Sequence, residues 1–182
     1  MLDPKFTPFP EIKTERLLLR RMTPKDASVI LFMRSNENVM KYIDRERTKS
    51  IEDAKSFLDK IDASLKTNNG IMWGITLKEK PGELIGNIGY WRLIKEHYRA
   101  EIGYMLHPSF WKKGIMKEAL LRVIDFAFDE MNLHSIEANI NPVNTASATL
   151  LEATGFIKEA YFKEDFFFNG AFHDTIIYSR LK

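Results

Sequence analysis

The sequence contains no cysteine. That one absence excludes structural disulfides, thiolate metal sites and a cysteine nucleophile, and it suits a reducing, cytoplasmic setting. Excess charge is missing too: 27 Lys and Arg against 25 Asp and Glu leave a formal net charge of +2. Nothing in that balance calls for nucleic acid or an anionic membrane as partner, so any anion site has to be local. No apolar run approaches the ~20 residues of a membrane span. The opening stretch MLDPKFTPFPEIKTERLLLR carries prolines and charges where a signal peptide needs an apolar core. Repeats, low-complexity tracts and linkers are absent as well. What is present is 182 residues of ordinary globular composition, 45% hydrophobic and 29% charged, which suits one domain over 1–182.

Along the chain, RLLLRRM (16–22) reads as a strand. TPKDASVILFM then starts a helix, with Thr23 as N-cap, Pro24 at the first position and Asp26 in the first turn. Ser50 and Asp53 are spaced as a capping box before the stripe Ile51, Ala54, Phe57, Leu58, Ile61 and Leu65. Three β-branched and aromatic runs follow, IMWGITL, ELIGNIGYWRL and RAEIGYML, separated by the turns KEKPGE and IKEHY; they predict an antiparallel meander. In GIMKEALLRVIDFAFDEM one face carries Met116, Ala119, Leu120, Val123, Ile124 and Ala127. HSIEANI (134–140) is a strand, and a strand–helix–strand unit places its strands parallel. NTASATLLEATGF reads as a short helix between Asn144 and Gly155. Two closing strands meet at the Asn169–Gly170 turn. The sum is α+β: a mixed, mostly antiparallel sheet with helices on its faces.

The segment SFWKKGIMKEAL (109–120) predicts an anion site. A helix opening at Gly114 leaves backbone N–H groups without partners at the positive end of its dipole. Glycine allows close approach of phosphate, and Lys112, Lys113 and Lys117 add charge. The motif is neither a P-loop nor a Rossmann turn, since GxxxxGK[ST] and GxGxxG are both absent. On this segment alone, a solvated basic turn entering a helix stands beside the phosphate reading. The glycines of GNIGY (86–90) sit inside a strand run, where they mark a bulge or close packing.

EIGYMLHPSFWKKGIMKEAL resembles the strand, phosphate loop and helix of the Gcn5-related N-acetyltransferase (GNAT) superfamily, whose Q/R-x-x-G-x-G/A pattern binds the pyrophosphate of acetyl-CoA. Trp111 stands at the Gln/Arg position and Met116 at the second Gly/Ala. TERLLLR, NTASATLLEATGFIKEA, NGAFHDTIIYSRL and the GIM after the loop resemble the RimJ/RimL-type protein N-terminal acetyltransferases, so the likeness runs from about Thr14 to Leu181. The resemblance implies acetyl-CoA as donor, and a splayed sheet with pantetheine between EIGYML and HSIEANI. Its amides would meet unpaired backbone as a pseudo-strand. The residues implicated in cofactor contact are Tyr104, Met105, Leu106, Lys112, Lys113, Gly114, Ile115, Met116, Lys117, Asn139, Asn144 and Ser147.

Without cysteine, transfer is expected by direct attack of the amine, with the oxyanion met by backbone N–H around Met105 and Leu106. Glu101 is the candidate base: strand alternation puts it with Gly103 and Met105 on one face, and it resembles the glutamate often assigned that role in the superfamily. The alternative is an ordinary strand salt bridge with Arg99 or a neighbour. Many superfamily members place a tyrosine, the proton donor, four residues before the GF; here that position is Leu151. Ser147, on the same side of the helix as Asn144, is the remaining hydroxyl. Both also have a plainer reading, as helix cap and first-turn residue. A serine is a very weak acid, so its role would be a hydrogen bond to the thiolate or relay of a water's proton.

The histidines at 97, 107, 134 and 173 have no metal-ligand spacing. The aromatic run YFKEDFFF (161–168) is expected as core and cleft wall, and the segment 36–47 as the roof of the acceptor cleft by family analogy. An α-amino group, with pKa about 7.7–8.0, is neutral more often at pH 7 than lysine near 10.4, which favours a protein or peptide N-terminus as acceptor. A small amine, or a non-catalytic acyl-CoA-binding module, is the alternative. Monomer and homodimer are both open.

Overall fold

Side chains fix several of the helix starts. In a computed structural model that describes residues 1–182, the Asp26 carboxylate accepts the Thr23 N–H at 2.7 Å and both terminal nitrogens of Arg20. This closes a 3-10 turn, Pro24–Asp26, from which α1 (Ala27–Ser35) continues. α2 (Glu37–Met40) is capped by Asn36. Ser50 and Asp53 exchange hydrogen bonds at 3.1 and 3.0 Å and start α3 (Ile51–Lys66). On its expected stripe Ala54, Leu58 and Leu65 are buried. Ile51, Phe57 and Ile61 pack partly buried around Met22, Ile30 and Met33.

β1 (Ile12–Lys13), β2 (Leu17–Arg21), β3 (Ile71–Leu77), β4 (Lys80–Ile94) and β5 (Arg99–Leu106) pair antiparallel in that order. After the crossover helix α4 (Ile115–Asp129), β6 (Ser135–Ile140) joins β5 in parallel. α5 (Thr145–Glu152) leads to β7 (Ile157–Phe168), and β8 (Ala171–Leu181) inserts between β6 and β7. The result is the expected α+β fold around one mixed eight-stranded sheet. The expected face of α4 is buried, and the Tyr90 hydroxyl donates to the Val123 carbonyl at 3.0 Å across that core.

Two departures from the sequence reading, and one expectation made specific, have physical causes. The turn expected over KEKPGE shrinks, because β4 begins at Lys80 and the register shift between Leu77↔Lys80 and Thr76↔Leu84 lets Pro81–Glu83 bulge outward. The glycines of GNIGY prove to be sites of close approach: a Cβ on Gly89 would stand 2.1 Å from the Ile71 carbonyl oxygen. Bulges fall on either side of them, at Ile85 in the pairing with β3 and at Trp91 in the pairing with β5. The YFKEDFFF run is not core. Tyr161, Phe162, Phe166 and Phe167 are 44–60% exposed, because β7 is the outer edge strand and pairs only with β8.

The feature that positions a site is a divergence. β5 stays on β4 to its last residue, Leu106, and β6 stays on β8 to Ile140. Between them, pairing covers only Arg99–Glu101 with Ser135–Glu137. Beyond Glu101 the sheet opens into the expected splay.

Candidate active site

The loop after β5 is held in shape by its own side chains. The Trp111 indole N–H donates to the Leu106 carbonyl at 2.7 Å. Lys112 and Gly114 both adopt left-handed backbone, at φ 59° and 72°. The first α-helical bond of α4 runs from the Glu118 N–H to the Gly114 carbonyl at 3.1 Å. The N–H groups of Ile115, Met116 and Lys117 are therefore left without helical acceptors. Ile115 and Met116 bury their side chains in the core, so they offer the loop only backbone. Lys112, Lys113 and Lys117 are exposed around it.

A scaffold that sequence reasoning did not assign braces this loop. The Glu118 carboxylate accepts from the Thr14 hydroxyl (2.5 Å), the Arg16 N–H (2.8 Å) and Arg16 Nε (2.6 Å). Arg16 also donates from Nη1 to the Lys113 carbonyl at 3.0 Å. Burial pushes the Glu118 carboxyl up, but the hydrogen bonds from Thr14 and Arg16 hold it below the usual glutamate value. Arg16 thus offsets the one carboxylate in the first turn. The segment TERLLLR carries a family resemblance, but no local signal announces a partner about 100 residues away.

Strand alternation decides which backbone groups face the splay. The His107 N–H donates to the Ile85 carbonyl at 2.8 Å, so every second residue back along β5, Met105 and Gly103, also turns its N–H toward β4. The N–H groups of Leu106 and Tyr104 point the other way, where β6 has left. Of the two donors expected for an oxyanion, Leu106 faces the opening and Met105 faces β4.

On the α4/α5 side of the splay, the Tyr104 hydroxyl and Ser147 Oγ lie 2.5 Å apart. Burial pushes the Tyr104 phenol up to about 12, against the opposing effect of its bond to Ser147. Asn144 caps α5 with Oδ1 on the Ser147 N–H at 3.1 Å, as expected of a cap. Leu151 is fully buried in the main core and presents nothing polar.

The opposite side carries the carboxylates. Glu101 is 7% exposed and stands in register beside Glu137. Arg99 pairs with Glu137 at 2.6 Å rather than with Glu101, whose nearest cation is Arg92 at 3.7 Å. Burial and the charge of Glu137 raise the Glu101 carboxyl, while hydrogen bonding from Asn139 and the guanidinium groups of Arg92 and Arg45 pull it down. Asn139 donates to Glu137 at 3.0 Å, which places its side chain with these carboxylates rather than with Tyr104 and Ser147. Trp91 lies over Gly103, where a Cβ would stand 3.3 Å from the indole. Arg45 sits 5.1 Å from the Trp91 ring centre, and Asp44 reaches His173 Nδ1 at 3.7 Å. The 36–47 segment thereby forms the roof over this face. In its floor the buried Asn87, in register with Met105, has an Nδ2 without a hydrogen-bond partner.

Glu101 and Ser147 thus flank one opening from opposite faces, and the α4 loop lies at its end. A family model described as an acetyltransferase (GNAT) domain matches residues 16–157. The uncharacterized N-acetyltransferase YoaA of Bacillus subtilis is 38% identical over 174 residues, 96% of this chain and 98% of its own. The ribosomal-protein-S5-alanine acetyltransferase from Vibrio fischeri superposes with a TM-score of 0.82 at 28% identity, covering 94% of this chain and 96% of that one. The spermidine N-acetyltransferase from Vibrio cholerae, solved with CoA and spermine, gives 0.79 at 25% identity, with 91% and 95% covered. With this splayed sheet, a family match from β2 to the start of β7 and 38% identity to YoaA over nearly the whole chain, the chain belongs to the GNAT family of N-acetyltransferases.

Proposed function

We propose that residues 1–182 act as one catalytic domain that acetylates the α-amino group of a protein or peptide N-terminus, with acetyl-CoA as donor. The residues present fit that donor. Three orphan N–H groups and three lysines at a left-handed glycine suit a pyrophosphate. The unpaired backbone of Tyr104 suits an amide-bearing chain in the splay. Acetyl-CoA supplies the acyl group as an activated thioester. Glu101 takes the amine proton, directly or through water, and its raised carboxyl is the better base for it. The Leu106 N–H offers a donor to developing negative charge on the carbonyl oxygen. Ser147 and Asn144 line the sulfur side.

The acceptor reading rests on one observation, the charge balance of the roofed face. Glu101, Glu137 and Asp44 are matched there by Arg45, Arg92 and Arg99. A polycation needs net negative potential at its binding face. An acceptor with a single amine does not, and Arg45, which stands over Trp91 with no carboxylate in salt-bridge contact, favours one carrying an acidic group close to the amine. A small amine is the second reading, motivated by the adjacent Glu101 and Glu137 carboxylates. Thiol release from acetyl-CoA with a panel of peptides and polyamines tests both. Release with peptides, strongest for those with acidic second or third residues, is the expected result. Release with spermidine alone would overturn the peptide reading. No release despite confirmed acetyl-CoA binding would favour a non-catalytic acyl-CoA-binding module.

A further inference from the structure

The Tyr104–Ser147 hydroxyl pair is unusual in its placement. Its two members belong to elements on opposite banks of the splay: β5, which stays with β4, and α5, which follows β6. The contact is short and removed from solvent, with Ser147 7% exposed. It also involves the same helix, α5, whose Leu151 offers no polar group.

Two hydroxyls in one hydrogen bond have one donor between them. A phenol is far more acidic than an alcohol, so the phenol is the better donor and the serine oxygen the acceptor. Burial keeps the phenol protonated throughout the working pH range. Ser147 alone, in the first turn of a helix, has a free choice for its hydrogen, including the carbonyls of the preceding turn. Once its oxygen accepts from Tyr104, its own O–H is polarised and turned away from the phenol.

We propose that Tyr104 is a positioning residue that commits the Ser147 hydroxyl to donate a hydrogen bond to the departing sulfur. The inference rests on the acetyl-transfer reading. In the step it serves, the bond from acyl carbon to amine nitrogen forms, and the carbon–sulfur bond breaks with its electron pair going to sulfur. The amine proton goes to Glu101. Ser147 and Tyr104 keep their protons and stabilise the sulfur anion until solvent protonates it. The pair would compensate for the phenol that Leu151 does not provide, from the other bank of the opening.

The test is a titration of the CoA thiol bound to the protein, read by the ultraviolet absorbance of the thiolate against a desulfo-CoA reference. The protein has no cysteine to interfere. Wild type, Tyr104→Phe, Ser147→Ala and the double variant are compared, each with its CoA affinity and melting temperature. Tyr104→Phe is expected to raise the bound thiol's pKa by about one unit, the tenfold effect of a hydrogen bond to a charged group. It should lower kcat about tenfold with an unchanged KM for acetyl-CoA. In the Ser147→Ala background the same change should add nothing. An unmoved thiol pKa in a Tyr104→Phe variant that binds CoA normally overturns the proposal and leaves acetyl transfer standing. So does an equal shift with and without Ser147. Failure of the wild-type protein to bind CoA would sink the acetyl-transfer reading and this inference together.

Discussion

The two sides of the splay are built from different materials. On the α4/α5 side and along the loop, the chemistry comes from backbone N–H groups, a left-handed glycine and two hydroxyls. On the roofed side it comes from ionised side chains, Glu101 and Glu137 among Arg45, Arg92 and Arg99, with Trp91 and His173 at the margins. Backbone geometry survives side-chain replacement, and this is how Trp111 and Met116 stand where the family pattern has other residues. Charge balance does not survive replacement. On the proposed reading, donor recognition therefore rests mainly on the fold, with the loop lysines adding charge, and acceptor recognition on particular residues.

Substitutions can break that contrast in graded steps. The largest effect is expected from Glu101→Gln, which should cut kcat about 10²–10⁴-fold, the range of general-base catalysis. Because its carboxyl is raised in the folded protein, the ionised form costs stability at neutral pH. The same substitution should thus raise the melting temperature while leaving acetyl-CoA affinity intact. A matching loss of cofactor affinity would blur the two sides. Next comes the loop: Lys112→Glu with Lys113→Glu should weaken acetyl-CoA binding about tenfold or more, in a salt-dependent manner, since two exposed attractions become repulsions. Calorimetric titration of acetyl-CoA reads this directly.

A subtler probe is Glu137→Gln. The charge of Glu137 helps hold the Glu101 carboxyl above its ordinary 4.5, so removing it should shift the acidic limb of kcat/KM to lower pH. The rate rises with pH through that limb because the base must be ionised. A limb that stays in place would mean that burial alone sets it. The smallest effect is expected from Gly114→Ala, which forces a Cβ into left-handed backbone at a cost of about 1–2 kcal/mol, visible in denaturant unfolding. Its Cβ would sit 3.4 Å from Arg16 Nη2, so a modest loss of loop order accompanies the strain.

Much of this was readable locally. The Ser50–Asp53 cap, the buried face of α4, the cap at Asn144 and the Asn169–Gly170 turn each depend on residues a few positions apart. The aromatic run of β7 failed for a different reason. Composition says that aromatics are sticky, but only sheet order says that this strand lies at the edge. The brace from Thr14 and Arg16 to Glu118 was equally invisible, because ion pairs across about 100 residues leave no period or spacing to detect.

By itself the sequence determined the order of elements, the helix that opens on a glycine, the lack of any thiol chemistry and the family likeness. These follow from periodicity, capping and composition, which act over one or two turns of chain. Tertiary structure alone decided where β5 and β6 part, that Glu101 lies beside Glu137 rather than paired to Arg99, and that Tyr104 meets Ser147 across the opening. Those are facts of long-range register and packing, where one residue of shift would move every side chain to the other face.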